Sequence, residues 1–402
     1  MNYNYSDRIK NLGGNAIREI FKLLQDPEVI SFAGGFPTKT TLPTQMIAEV
    51  TQKLMASDKA QDILQYGETE GYKPLRYTAI DYVKRYGITG IDIDNTLIIS
   101  GGQQGIDLTF KAFVNKGDVV LVEDPTYLAS LHILKTYEGV PVGVKSNDNG
   151  LDIADLEEKI IKYSPKVLYI VPTFSNPTGK TYSVENRKAI AELTAKYNLI
   201  VLEDDPYSEL RFSGERVPSI KSFDKAGNVI YITSFSKTLA PGLRTGIAIG
   251  DKAVIRKLTI GKQATDVHTC LLSQAIIDYF LRNNSMDDRL EQLKKVYLEK
   301  KTAMLEAIKK YMPKEFKYTN PDGGLFIFGE FDKETGIDTL KVFPELVKKY
   351  KVAYVSGDSF FAGGDKFNTL RLNYSNATLE QIEDGICKMG KFFKEILESN
   401  KK

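Results

Sequence analysis

The chain alternates short, continuously apolar runs with longer segments in which apolar residues recur at helical spacing. The apolar runs occupy residues 97–100, 119–122, 141–144, 167–171, 199–202, 229–233 and 245–250. Because these runs lack alternating polar positions, they predict strands that are buried on both faces. Helical spacing at 153–163 and 184–197 lies between them. The alternation predicts an α/β domain with a mostly parallel sheet flanked by helices, in which ligands bind beyond the strand ends.

The pattern changes from about residue 287 onward. A long charged helix is predicted at 289–311, a hairpin-like section at 320–328, a strand at 369–374 and a helix from 379 to about 397. This mixture predicts a smaller α+β domain. The first 45 residues are loop-rich and lack a core of their own, so we assign them to it. The predicted division is a large domain at 46–290 and a small domain at 1–45 and 291–402, which includes an N-terminal arm.

Composition is that of a soluble globular protein, with 402 residues, 42% hydrophobic residues and 26% charged residues. A net charge of +2 argues against a nucleic-acid surface or a polybasic membrane anchor. The N-terminus has no apolar signal core, and no run approaches the roughly 18 apolar residues of a spanning helix. Two cysteines and two histidines favour neither a disulfide framework nor a metal site. We therefore expect a cytoplasmic protein without metal.

Lys237 lies between the last two apolar runs of the large domain. It follows Ser234 and Ser236 and precedes Arg244. Burial and nearby positive charge would lower the pKa of its amine and make it nucleophilic. The two hydroxyls and the guanidinium suit a phosphate group. A reactive amine beside a phosphate site is what pyridoxal phosphate requires; the alternative is a surface lysine in a loop.

Three further motifs follow predicted strands. The glycine-rich segment 100–108 opens a helix, whose N-terminal N–H groups would bind a phosphate. Tyr127, after Pro125, would be free to lie over a flat ring. Asn176, within the turn 175–179, would donate to a phenolate oxygen. Taken singly, these are also compatible with an ordinary helix start, a core tyrosine and a plain turn.

Two charged positions complete the set. The acidic segment 203–205 follows the strand at 199–202, and one of its carboxylates would bind a protonated pyridine nitrogen, with Tyr207 reaching the same phenolate as Asn176. The acidic pair there would alternatively suit magnesium, but no third carboxylate accompanies it. Arg371 lies in an otherwise apolar strand and needs an anionic partner, either a substrate carboxylate or an internal acid.

Together these motifs resemble the fold-type I pyridoxal-phosphate-dependent aminotransferases of class I/II over nearly the whole chain. The similarity to the subgroup of 2-aminoadipate aminotransferases and kynurenine aminotransferase II is carried by the segments 16–20, 31–37 and 64–67. It implies a PLP-dependent transferase fold with a mostly parallel sheet. The implied activity is ping-pong transfer of an amino group from an L-amino acid to a 2-oxo acid, with 2-oxoglutarate as the expected acceptor.

The resemblance also implies roles for individual residues. Lys237 would bind the cofactor covalently and shuttle a proton, and Asp204 would pair with the pyridine nitrogen. Asn176 and Tyr207 would hold the phenolic oxygen, and Tyr127 would stack on the ring. The residues that would hold the phosphate are Gly102, Gln103, Ser234, Ser236 and Arg244.

Substrate contacts are implied in the same way. Arg371 would bind the α-carboxylate, helped by Asn176 and the loop at Gly35. Arg18 matches the arginine that binds a side-chain carboxylate in the aminoadipate subgroup, although a solvated arginine is the alternative. Tyr66 resembles the tyrosine that reaches the phosphate of the neighbouring subunit, which implies a homodimer with shared active sites. The subgroup accepts acidic, aromatic and branched-chain donors.

Two rival functions use the same motifs. Another pyridoxal-phosphate reaction, such as that of a C–S lyase or decarboxylase, would need the same lysine and ring contacts. Arg371 together with Arg18 favours transamination, since both the donor and the acceptor carry carboxylates. A transcription regulator with a PLP-binding sensor domain would carry a DNA-binding winged helix ahead of that domain. Here the similar region begins within about the first 20 residues and no basic N-terminal module precedes it.

Overall fold

The computed structural model of the chain describes residues 3–10, 12 and 26–400. Within them, seven strands form the larger sheet: β1 (Thr96–Ile99), β2 (Val119–Glu123), β3 (Val140–Val144), β4 (Val167–Ile170), β5 (Ile200–Asp204), β6 (Val229–Ser234) and β7 (Gly246–Ile249). Their spatial order is β1-β7-β6-β5-β4-β2-β3. Only β7 runs antiparallel to its neighbours among these strands. The predicted, mostly parallel sheet is confirmed.

Helices cover this sheet, and the strands β1, β4, β6 and β7 are buried along their whole length. The helices of this part of the chain are Thr44–Met55, Ala60–Leu64, Lys73–Val83, Gly102–Phe113, Leu128–Thr136, Ile153–Tyr163, Val184–Lys196, Lys252–Asp266 and Leu271–Asn283. The helix Ile153–Tyr163 begins where the side chain of Asp152 accepts hydrogen bonds from two backbone N–H groups. Its bounds match the helical spacing read from the sequence.

A smaller antiparallel sheet forms the C-terminal part of the described chain. Its strands are β8 (Phe316–Tyr318), β9 (Phe326–Phe331), β10 (Val355–Ser356) and β11 (Thr369–Asn373), in the order β8-β9-β11-β10. The helices Met286–Tyr311, Thr339–Tyr350 and Leu379–Asn400 accompany it. The hairpin predicted at 320–328 proves to be the connection from β8 to β9 together with the start of β9. The smaller α+β unit is confirmed.

The segment after residue 26 lies on this C-terminal unit. Ile30–Ser31 pairs in parallel with Val352–Ala353, and the N–H of Asn373 donates to the carbonyl of Phe32 at 2.8 Å. The domain boundaries at 45/46 and 290/291 stay a prediction, and the helix Met286–Tyr311 runs across the second of them. In the described part of the chain, no helix combines the length and apolar character needed to span a bilayer.

The parallel strands bring their carboxyl ends to one edge of the larger sheet. Asp204 is the last residue of β5, Ser234 is the last residue of β6, and the turn that begins at Ser100 follows β1. Residues that are far apart in the sequence therefore meet at this edge, as expected for an open α/β sheet.

Candidate active site

A cavity of about 390 Å³ lies at this edge, beneath the segment 33–36 and the strand β11. Its volume falls within the roughly 300–1,000 Å³ of small-molecule sites. The predicted site residues that line it are Gly35, Gly102, Gln103, Tyr127, Asn176, Asp204, Tyr207, Ser234, Ser236, Lys237, Arg244 and Arg371. The sheet edge and the small domain therefore bring together twelve of the predicted residues, counted from that lining.

Lys237 follows β6 and reaches across the cavity to the segment 33–36. Its Nζ donates a hydrogen bond to the carbonyl of Gly35 at 2.6 Å. Burial, together with the positive charges of Arg371 and Arg244, lowers the pKa of Lys237 to about 8. A substantial fraction of the amine is therefore neutral and nucleophilic near neutral pH.

Asp204 lines the same cavity from the end of β5. The hydroxyl of Tyr169 donates to Oδ2 at 2.9 Å, and burial raises the pKa of Asp204 to about 7. Its other oxygen, Oδ1, points toward the helix start, where a Cβ added at Gly102 would lie 3.6 Å from it. A buried carboxyl with one oxygen turned to the cavity suits a cationic hydrogen-bond donor on a ligand.

Asn176 and Tyr207 are buried beside one another. Burial raises the pKa of Tyr207 well above its ordinary value, and a hydrogen bond with Asn176 partly offsets the effect. Tyr127 is half-buried and precedes the helix Leu128–Thr136. Burial raises its pKa to about 12, so its hydroxyl is neutral at physiological pH. The three side chains offer a polar edge and an aromatic face to a planar ligand.

Arg371 is buried on β11 without a carboxylate partner among the described residues. Its Nη1 donates to Asn176 Oδ1 at 2.8 Å, its Nη2 donates to the carbonyl of Ala33 at 2.5 Å, and its Nε has no partner. The guanidinium lies 4.3 Å from the ring centroid of Phe326 and 5.2 Å from that of Phe360. Burial lowers its pKa to about 10, so it remains charged. Among residues 3–10, 12 and 26–400, no acidic side chain forms the alternative salt bridge, so the guanidinium is available to an anionic ligand.

The opposite end of the cavity is formed by the turn that opens the helix Gly102–Phe113. Gly101 has φ +82, and a Cβ there would lie 2.5 Å from Arg244 Nη2. Arg244 Nη2 donates to the carbonyl of Ser100 at 3.1 Å. Because the first N–H groups of a helix have no intrahelical acceptor, the helix start and the guanidinium form an anion site here. The hydroxyl-bearing residues Ser234 and Ser236 line the same cavity.

Two predicted residues have not yet been accounted for. Tyr66 is 82% exposed, with its ring centroid 5.9 Å from that of His268, and it does not line the cavity of its own chain. Arg18 lies outside the described residues. Two features escaped the sequence analysis: Tyr169, which is hidden within the uniformly apolar run of β4, and the backbone carbonyl of Gly35.

The chain matches the family described as aminotransferase class I and II over residues 27–388. It is 39% identical over 397 residues to aromatic-amino-acid aminotransferase 1 of Thermococcus litoralis, covering 97% of this chain and 94% of the relative. It is 36% identical over 386 residues to the 2-aminoadipate transaminase of Thermus thermophilus, covering 95% and 94%. The crystal structure of Pyrococcus horikoshii kynurenine aminotransferase in complex with PMP matches with a TM-score of 0.92 at 39% identity, covering 97% of both chains.

The chain therefore belongs to the class I and II aminotransferase family. The predicted fold type I architecture and the predicted enzyme class, a transaminase, are confirmed. The lyase, decarboxylase and sensor alternatives are not favoured.

Proposed function

We propose that the protein uses pyridoxal 5'-phosphate to move an amino group from an L-amino acid to a 2-oxo acid. The observation that carries this proposal is the amine of Lys237. It has a pKa lowered to about 8 and lies in one cavity with the carboxyl of Asp204 and the guanidinium of Arg371. Nucleophile, electron-withdrawing partner and carboxylate anchor are the three groups that such a reaction needs.

The residues of the cavity fit this cofactor. The start of the helix Gly102–Phe113, with Gln103, offers backbone N–H groups to a phosphate, and Ser234, Ser236 and Arg244 add hydroxyls and positive charge. Asp204 Oδ1, the carboxylate oxygen that Tyr169 does not hold, lies 3.6 Å from a Cβ added at Gly102 and would bind the ring nitrogen. Phosphate donors and a carboxylate partner for a ring nitrogen in one cavity match a phosphorylated pyridine.

When bound, the cofactor supplies an electron sink for the substrate's α-carbon. Asp204 would sustain it by holding the proton of the ring nitrogen. Asn176 and Tyr207 would hold the phenolic oxygen, and Tyr127 would cover the ring face. Lys237 Nζ would hold the cofactor covalently and would accept the α-proton of the donor.

Arg371 would bind the substrate α-carboxylate. Its Nε has no partner, and its Nη1 already fixes Asn176 on the same side of the cavity, beside Gly35. By similarity to its relatives, the donors would include 2-aminoadipate and aromatic amino acids. The family resemblance extends this proposal to branched-chain donors and to 2-oxoglutarate as acceptor. Arg18 would bind the side-chain carboxylate of acidic donors.

The working unit would be a cytoplasmic homodimer with shared active sites. Tyr66 supports this proposal, because an 82% exposed aromatic side chain that lies away from its own cavity suits a contact across an interface. In the dimer, its hydroxyl would reach the phosphate held by the neighbouring chain.

The test is a visible spectrum of the purified protein loaded with pyridoxal phosphate and titrated with single amino acids in the absence of an oxo acid. Donors that convert the yellow form to the colourless aminated cofactor establish the half-reaction, and their ranking gives the donor class. Lys237→Ala should abolish the yellow form. A wild-type protein that takes up no cofactor, or that no donor bleaches, would refute the proposal.

A further inference from the structure

We propose that Lys262 and Asp266 are positioning residues that hold the phosphate-binding turn, residues 100–104, from behind. The inference rests on the proposed function, since it assigns a role toward the cofactor phosphate. Neither side chain lines the cavity. Both would act through the turn rather than on the ligand.

Lys262 is a lysine with a fully buried side chain on the helix Lys252–Asp266. Its Nζ lies 2.8 Å from Gln104 Oε1 and 3.0 Å from Thr269 Oγ1. It also lies 2.8 and 2.9 Å from the two carboxylate oxygens of Asp266. The ammonium therefore has oxygen partners on three sides, which a buried charge needs to offset its desolvation.

Asp266 extends this network to the turn. Its Oδ2 accepts hydrogen bonds from Ser100 Oγ at 2.9 Å and from Gln104 Nε2 at 2.7 Å. Gln104 Oε1 in turn accepts the backbone N–H of Ser100 at 2.7 Å. The ion pair is therefore hydrogen-bonded to both ends of the turn, Ser100 and Gln104. Residues 101–103 lie between these two ends.

The loop after this helix is shaped to complete the network. Val267 has φ +62 and ψ −59, and the N–H of His268 donates to the carbonyl of Asp266 at 2.7 Å. This three-residue turn is strained, the more so for a β-branched residue. It brings Thr269 back so that its hydroxyl lies 3.0 Å from Ser100 Oγ as well as from Lys262. A strained backbone conformation of this kind persists where the surrounding contacts hold it in place.

The consequence for binding lies in the direction of the backbone N–H groups. An anion at a helix start gains most when those groups converge on it before it arrives. Arg244, which lines the cavity, donates a hydrogen bond to the carbonyl of Ser100. The turn is therefore hydrogen-bonded both to Arg244 and to the Lys262–Asp266 pair. Without the side chain of Lys262 or Gln104, hydrogen bonds between the turn and the helix Lys252–Asp266 would be lost. The backbone N–H groups that would touch the phosphate would remain.

The experiment compares two ligands that differ only in the phosphate, pyridoxal phosphate and pyridoxal, on cofactor-free protein by equilibrium dialysis. The variants are Lys262→Met, which keeps the length without charge, and Gln104→Leu, which leaves the ion pair intact. Lys111→Met is the matched control. Lys111 packs against the same helix, with Nζ 2.6 Å from Thr265 Oγ1, but the structure gives it no contact with the turn.

We expect the Kd for pyridoxal phosphate to rise about tenfold in Lys262→Met and Gln104→Leu, about 1.4 kcal/mol, while the Kd for pyridoxal stays within about twofold. Lys111→Met should change neither. Equal weakening of both ligands, or no weakening of either, would overturn the positioning role. The ratio of the two constants is taken within each variant, so a loss of stability does not imitate the result. Gln104→Leu decides the question if Lys262→Met does not fold. A wild type that binds no pyridoxal phosphate would instead refute the proposed function.

Discussion

The amine of Lys237 should titrate far below the range of an ordinary lysine in the cofactor-free protein. Burial and the cations Arg371 and Arg244 lower its pKa from 10.5 to about 8. At about 1.36 kcal/mol for each pH unit, this difference disfavours the charged amine by roughly 3–4 kcal/mol. At pH 7 the neutral fraction rises to about one-tenth, roughly 300 times that of an amine with the ordinary pKa.

Competitive acetylation with acetic anhydride measures this directly, because only the neutral amine reacts. Cofactor-free protein is labelled across about pH 6 to 11, and mass spectrometry follows the peptide that contains Lys237. Lys314, exposed on a turn, serves as a reference within the same sample. Half-maximal labelling of Lys237 is expected near pH 8. Half-maximal labelling of Lys237 at pH 10 or above would show that the cavity does not lower the pKa of the amine. That result would refute the argument that the amine is nucleophilic near neutral pH.

The lowered pKa of Lys237 also makes the free energy of unfolding depend on pH. Because the pKa of Lys237 is lower in the folded state, the unfolded chain binds more protons than the folded chain between pH 8 and 10.5. The free energy of unfolding therefore increases as pH rises through that window. Below pH 8 the charged amine destabilises the fold. The free energy of unfolding of cofactor-free Lys237→Met should therefore exceed that of the wild type most at pH 7. The difference between the two proteins should be smaller by about 1 kcal/mol at pH 9. Urea unfolding at both pH values checks this, and an advantage that does not change with pH would contradict it.

Three substitutions test other parts of the cavity. Asp204→Asn should keep the cofactor but lower kcat about 10- to 100-fold, because a charged hydrogen bond of about 1.5–3 kcal/mol is lost; steady-state kinetics measures it. Arg371→Met should raise KM for the amino donor about 100-fold without changing the Kd of pyridoxal phosphate. Gly101→Ala should weaken pyridoxal phosphate binding about tenfold, because its φ is +82 and its Cβ would meet Arg244 Nη2 at 2.5 Å. Gly242→Ala, where a Cβ meets nothing within 4 Å, is the control.

Each of these substitutions has an outcome that would count against the structure-based argument. Unchanged kcat in Asp204→Asn would remove its role at the ring nitrogen. An equal loss of cofactor and substrate affinity in Arg371→Met would mean that the guanidinium supports the fold of the cavity rather than the substrate. Equal effects of alanine at Gly101 and Gly242 would show that the left-handed turn is not what shapes the phosphate site.

Much of the cavity is readable from the sequence because a parallel sheet converts order along the chain into position at one edge. Asp204 and Ser234 end apolar runs, and such runs are recognisable without any tertiary information. Once the runs are assigned to parallel neighbours, the residues after them must meet. Lys237 and Asn176 follow from the same reasoning, since each stands a few residues beyond a strand.

The remaining features depend on contacts that the local pattern does not encode. Tyr169 is one aromatic residue in a uniformly apolar strand, and nothing local shows that its hydroxyl meets Asp204. Lys262 and Asp266 have the spacing of an ordinary surface ion pair on a helix, and only the packing of the turn at 100–104 reveals that the lysine is buried. The contact between Lys237 and the carbonyl of Gly35 joins residues 202 positions apart and involves no side chain of the glycine.

The charged residues around the cavity indicate which ligands it favours. Lys237, Arg244 and Arg371 line it together, and Asp204 is the single acidic residue in the described lining. Burial lowers the pKa of both Lys237 and Arg371 and raises that of Asp204, so each charge is disfavoured in the cofactor-free protein. A phosphate on a ligand would neutralise the exposed Arg244, a protonated ring nitrogen would pair with the buried Asp204, and a substrate carboxylate would pair with the buried Arg371. The free energy that the fold gives up to bury these groups would thus be recovered on binding, which favours small anionic ligands over neutral ones of the same shape.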